Sequence, residues 1–94
     1  MPTQPVRLTV VGGGSFFTPS FIGTMCRRPE IFSEAEVRLN DPNADRVALV
    51  KAFCEVYTKA KGVPMAFVAA PELDRALDGA TIVITTFRVG GPAA

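Results

Sequence analysis

The sequence predicts a doubly wound α/β fold, and three features predict it. Short β-branched runs alternate with helical stretches in the order β-α-β-α-β-α-β. The first run halts at three consecutive glycines, and a helical stripe follows them. Each later helical stretch ends on Gly or Pro before the next apolar run begins. Strands joined by helical crossovers run parallel, and right-handed crossovers lay helices on both faces of the sheet. Four such strands take the order 3-2-1-4, a Rossmann-like three-layer arrangement with its crevice above strands 1 and 4.

Residues 6–11 (V-R-L-T-V-V) form the first strand, dense enough in apolar residues to be covered on both faces. Gly12, Gly13 and Gly14 end it. A helix is expected over 19–28, where Phe21, Ile22, Met25 and Cys26 share a stripe. Thr18 is placed to cap it, Pro19 at its first position, and Pro29 to stop it. Phe16, Phe17 and Phe21 read as packing side chains. A second strand is expected from Val37, cut off by Pro42 and with Asp41 just past its end. Asn43 can cap a long helix over 44–61, with Val47, Val50, Cys54 and Tyr57 on one face, Phe53 beside them, and Gly62 as the exit. A third strand at 65–70, a short helix at 72–77 and a fourth strand at 81–86 complete the pattern.

At 94 residues one domain is the ceiling. Strand 4 of a doubly wound sheet normally leads into a second half, so the chain reads as residues 1–94 of a longer nucleotide-binding domain. Ten Lys and Arg against nine Asp and Glu leave a net charge of +1, which provides no electrostatic footprint for nucleic acid. No apolar run reaches the ~18 residues of a membrane span, and the N-terminus lacks the pattern of a secretion signal. A cytoplasmic protein is expected. There is no His, which removes Ser-His and Cys-His catalysis and His-ligated zinc. Cys26 and Cys54 read as small buried hydrophobes of a reducing compartment.

The chemistry concentrates at strand ends. A glycine elbow between a buried strand and a helix lets main-chain amides approach a pyrophosphate, and the helix N-terminus adds a positive dipole end. Gly12 and Gly14 match the G-x-G-x-x-G fingerprint, whereas Phe17 occupies its third glycine position. The elbow therefore reads as a phosphate cradle built on bare amides or as an ordinary tight turn. Asp41 is placed to accept hydrogen bonds from an adenosine ribose and to repel a 2′-phosphate, which favours NAD over NADP; otherwise it caps the Asp-Pro-Asn turn. Thr85 and Thr86 are cofactor contacts or buried strand threonines. Arg88, past strand 4 beside Gly90 and Gly91, is a candidate fork for a phosphate or carboxylate, or a plain surface residue.

Gly12-Gly-Gly-Ser15-x-x-Thr18-Pro19, Leu39-x-Asp41, Gly62-Val-Pro64, Leu77-Asp-Gly-Ala80 and Thr85-Thr-Phe-Arg-Val-Gly-Gly91 together resemble the N-terminus of the family 4 glycoside hydrolases. Within that family the pattern looks most like the 6-phospho-β-glucosidases, with the 6-phospho-α-glucosidases near and the α-galactosidase branch further off. The family is an exception to two-carboxylate glycosidase chemistry. The resemblance implies NAD as cofactor, oxidation of the sugar at C3, loss of the C2 proton to a tyrosine beside Mn²⁺, elimination of the aglycone, addition of water and return of the hydride. It implies cofactor contacts from Gly12, Gly13, Gly14, Ser15, Phe16, Asp41 and Thr86, and a contact from Arg88 to a phosphorylated sugar. Phe16-Phe17 departs from the commoner Ser-Tyr. Catalytic and metal-binding residues are expected downstream, so the 94 residues alone should be inactive and the full-length enzyme a homo-oligomer. A conventional NAD-dependent dehydrogenase and a stand-alone nucleotide module are the other readings. A downstream Cys–His metal pair, a downstream His–Asp hydride-transfer pair, or a stable monomer that binds NAD tightly distinguishes the three.

Overall fold

The computed structural model describes residues 6–14 and 17–85. They form β1 (Arg7–Val11), α1 (Phe17–Cys26), α2 (Pro29–Phe32), β2 (Ala35–Asn40), α3 (Ala44–Lys61), β3 (Met65–Ala69), α4 (Leu73–Leu77) and β4 (Ile82–Thr85). All strand pairings are parallel and the sheet order is β3-β2-β1-β4, as the sequence predicts. In register, Val10 of β1 sits between Leu39 of β2 and Ile84 of β4.

The core lies on the face covered by α1 and α3. Leu8, Val10, Val37, Leu39 and Phe67 from the sheet pack with Ile22 and Met25 of α1 and Val47, Val50 and Cys54 of α3. The opposite face is held by polar contacts to α4. Buried Thr9 donates its hydroxyl to Ala76 O, and Arg38 Nη1 donates to the carbonyls of Ala76 and Asp78 at the C-terminal end of α4. A cation at that end satisfies carbonyls the helix leaves unpaired.

Local chemistry explains the boundaries of α3. Asn43 accepts from Arg46 N as N-cap, and Gly62 adopts a left-handed conformation (φ 73°) as C-cap. Elsewhere the boundaries move. Thr18 does not cap α1; it lies inside the helix, fully buried, and Pro19 occupies the first turn, where a missing N–H costs little. Pro29 does not merely stop α1 but opens the extra helix α2. β2 starts at Ala35, not 37, because Glu36 N donates to Val6 O. β3 ends at Ala69, α4 starts at Leu73, and β4 is described over Ile82–Thr85. Phe17 and Phe53, read as packing residues, are 65% and 56% exposed. Among the described residues no helix is long and apolar enough to cross a membrane.

Candidate functional site

The elbow after β1 lies at the carboxyl end of the sheet, the end where open α/β sheets bind ligands. Gly12 has φ 88°, a left-handed conformation that glycine adopts without strain. The amides of Gly12 and Gly13 both donate to Asn40 O, at 2.7 and 2.9 Å. A Cβ on Gly13 would stand 2.8 Å from both Cα and Cβ of Leu39, so only glycine lets β1 turn this close to β2. A Cβ on Gly14 would stand 3.0 Å from Arg46 Cβ and 3.1 Å from Asp41 Oδ2. Thr18 Oγ1 closes the elbow from the α1 side by donating to Gly13 O at 3.1 Å.

Asp41 sits one residue beyond β2 and joins both sides of the crevice. Its Oδ2 accepts from Gly14 N at 3.1 Å, and its Oδ1 accepts from Asn43 N at 2.9 Å. The two readings of this carboxylate therefore coincide: it caps the Asp-Pro-Asn turn and also faces the elbow. The expectation of bare amides needs correction at the glycines. Those of Gly12, Gly13 and Gly14 are all engaged by the end of β2, because the tight approach that needs glycine also brings each amide onto an acceptor. Any anion held here meets the start of α1, whose first turn has no acidic residue. The Phe17 ring does not fill the elbow, since it is largely exposed.

Asn40, which carried no signal in the sequence, turns out to organise the adjoining loop. Its Nδ2 donates to Ala70 O at 2.8 Å and to Pro71 O at 3.2 Å, fixing the exit of β3 beside the exit of β2. Only the strand pairing exposes this role. Arg46, beside Gly14, was missed for the same reason. Thr85 ends β4, paired with Val11 at the elbow's entrance. Ser15, Phe16, Thr86 and Arg88 lie outside the described residues. Both cysteines are free thiols away from this site, and burial pushes the Cys54 thiol up to about 11.

A parallel sheet ordered 3-2-1-4, with a glycine elbow locked to an acidic strand end, defines a Rossmann-type unit. Comparison with known proteins then places it: the model of the family 4 glycosyl hydrolases matches residues 7–94, and the chain belongs to that family. It is 26% identical over 90 residues to the maltose-6′-phosphate glucosidase of Bacillus subtilis, covering 96% of this chain and 20% of that protein. It is 28% identical over 86 residues to an α-galactosidase of Rhizobium meliloti, covering 90% of this chain and 17% of that protein. Among solved structures it resembles the 6-phospho-β-glucosidase of Thermotoga maritima, solved with manganese, NAD⁺ and glucose-6-phosphate. There the TM-score is 0.77 at 27% identity, covering 92% of this chain and 20% of that one. The chain thus spans about one-fifth of the length of the relatives it matches. The α-galactosidase branch stands no further off than the phospho-glucosidases, so overall similarity does not separate the branches.

Proposed function

We propose that residues 1–94 are the NAD-binding N-terminal portion of a cytoplasmic glycosidase acting on 6-phospho-glycosides, of the 6-phospho-β-glucosidase type. The observation that carries this reading is the meeting of Gly14 with the Asp41 carboxylate at the carboxyl end of the sheet. Side chains are excluded at Gly13 and Gly14, an acid-free helix start lies alongside, and a carboxylate stands at the end of β2. These residues fit a dinucleotide. Gly12, Gly13 and Gly14 keep the elbow narrow for the pyrophosphate, with Ser15, Phe16 and Thr86 as further contacts, and Asp41 takes the ribose hydroxyls and disfavours a 2′-phosphate. Bound NAD supplies a reversible hydride acceptor. The chain's own part is to hold that group rigidly and to place Arg88, past strand 4, toward the sugar phosphate as a bidentate fork.

The T. maritima structure contains NAD⁺, manganese and glucose-6-phosphate, which supports NAD, Mn²⁺ and a phosphorylated sugar for this protein. A chain without His fits an assignment of the Mn²⁺ ligands, like the catalytic base, to another part of the enzyme. Membership of the glycosidase family favours this reading over a conventional dehydrogenase.

The test is hydrolysis of 6-phospho-β- and 6-phospho-α-glucosides by the full-length protein with NAD⁺ and Mn²⁺ added or withheld. The reading expects turnover that requires both additions and prefers the β-anomer. Turnover without NAD⁺ would remove it, and an α preference would correct the branch. In the same assay Arg88→Ala should raise KM far more for the phosphorylated substrate than for its unphosphorylated analogue.

A further inference from the structure

The glycine elbow has the shape to receive an anion, yet the groups that form it bring little positive charge. The amides of Gly12, Gly13 and Gly14 already donate to Asn40 O and to the Asp41 carboxylate. Helix α1 carries no charged side chain along its length (F-T-P-S-F-I-G-T-M-C) and offers only its dipole end. Asp41 is itself an anion, with Oδ2 held 3.1 Å from Gly14 N. A diphosphate brought against Gly14 therefore meets a fixed like charge, in a crevice where water screens it less than in bulk. A cation at the same place offsets that repulsion.

Arg46 is a cation whose stem touches the elbow. A Cβ built on Gly14 would stand 3.0 Å from Arg46 Cβ and 3.1 Å from Asp41 Oδ2, so glycine, carboxylate and arginine stem meet at one point. A chain of hydrogen bonds fixes that stem. Asp41 accepts from Gly14 N and from Asn43 N, and Asn43 Oδ1 in turn accepts from Arg46 N at 3.1 Å. The arginine is half-buried. It also stands in the first turn of α3, where the helix dipole opposes a cation and favours an anion. A bound diphosphate reverses that disadvantage, since helix end and guanidinium then attract the same charge.

We propose that Arg46 supplies the positive charge that holds the coenzyme diphosphate at this elbow, with its planar fork on the phosphate oxygens. The inference rests on the coenzyme reading and names, within it, the side chain that recognises the phosphates. The glycines then have one task and Arg46 another: they keep side chains out of the approach, and it provides the charge their engaged amides do not. Asp41 and Arg46, side by side, divide the coenzyme between them, the carboxylate taking ribose hydroxyls and the guanidinium taking phosphate.

Titration of NAD⁺ into the full-length protein and its Arg46→Met and Arg46→Lys variants tests it, with thermal unfolding alongside. Methionine keeps much of the stem and removes the charge. R46M should raise the NAD⁺ dissociation constant about 10- to 100-fold, as expected for a lost charge-assisted hydrogen bond, and should flatten its dependence on salt. R46K should recover part of the affinity, and the unfolding midpoint without coenzyme should stay unchanged in both. As competitors of NAD⁺, ADP should weaken by the same factor in R46M and adenosine should not. Wild-type affinity in R46M, equal weakening of ADP and adenosine, or R46K no tighter than R46M overturns the proposal. So does a midpoint that falls together with the affinity, which would make the stem merely structural. A wild type that binds no NAD⁺ removes the coenzyme reading itself and this assignment with it, whereas wild-type binding with an indifferent R46M removes the assignment alone.

Discussion

The middle of the sheet and its two edges follow different rules. β1 and β2 bury most of their side chains, while β3 and β4 leave most of theirs exposed. In the middle, polar atoms are engaged as fully as the apolar ones: the amides of Gly12, Gly13 and Gly14, the Asn40 amide and the Asp41 carboxylate all have partners. At the β4 edge, Phe21, Ile82 and Ile84 line an apolar hollow of about 190 Å³. The centre is thus a finished, tightly specified structure around the crevice. The periphery presents surface that burial elsewhere in an assembly can cover. The contrast predicts steep mutational costs near the elbow and shallow ones at the edges.

The largest effect is expected at Gly13. A valine there would drive Cβ into the Leu39 backbone, and the overpacking should cost about 3 kcal/mol in urea denaturation. Asn40→Ala should come next. It leaves Ala70 O and Pro71 O without their side-chain donor, a loss of about 2 kcal/mol in the same experiment. A cost near zero would show that the β3 exit holds itself.

Alkaline pH gives a smaller effect from within the core. The Cys54 thiol is raised from 9.0 to about 11, chiefly by burial and secondarily by its neighbours Cys26 and Glu55. A raised folded value favours the protonated thiol, so its contribution is intact below pH 9 and is lost as pH climbs through about 11. Unfolding scans of wild type and Cys54→Ala should therefore converge over that interval; parallel curves would remove the assignment. The smallest effect belongs to the edge: Val83→Thr, on an exposed face of β4, should change the stability of this chain by no more than about 0.5 kcal/mol. A cost equal to that of Asn40→Ala would erase the contrast between centre and edge.

Features written in neighbouring residues were legible in the sequence. Asn43 and Gly62 bound α3 through bonds within a few residues of themselves, and the β-branched runs gave strand number, direction and order. Pairings between distant segments were not legible. That Gly13 abuts Leu39, that Gly14 meets Asp41 across 27 residues, and that Asn40 reaches the turn 30 residues on follow only from β1 lying beside β2 and β2 beside β3. The elbow's location could be read, but not that its glycine amides are already engaged. On α3 a single core face was expected, formed by Val47, Val50, Cys54 and Tyr57 with Phe53 beside them. Tyr57 does pack against the core, whereas Phe53, its ring stacked on Tyr57 at 6.2 Å, is exposed.

Calorimetric titration of NAD⁺ into the full-length protein and its Gly14→Val variant is the most direct test, with circular dichroism to verify that both are folded. A side chain at Gly14 must displace the Asp41 carboxylate and Arg46 at contacts of 3.0–3.1 Å. The account predicts that the variant keeps its secondary structure and loses measurable NAD⁺ binding. A folded variant that binds NAD⁺ as tightly as the wild type would contradict it, and the elbow would then be only a turn.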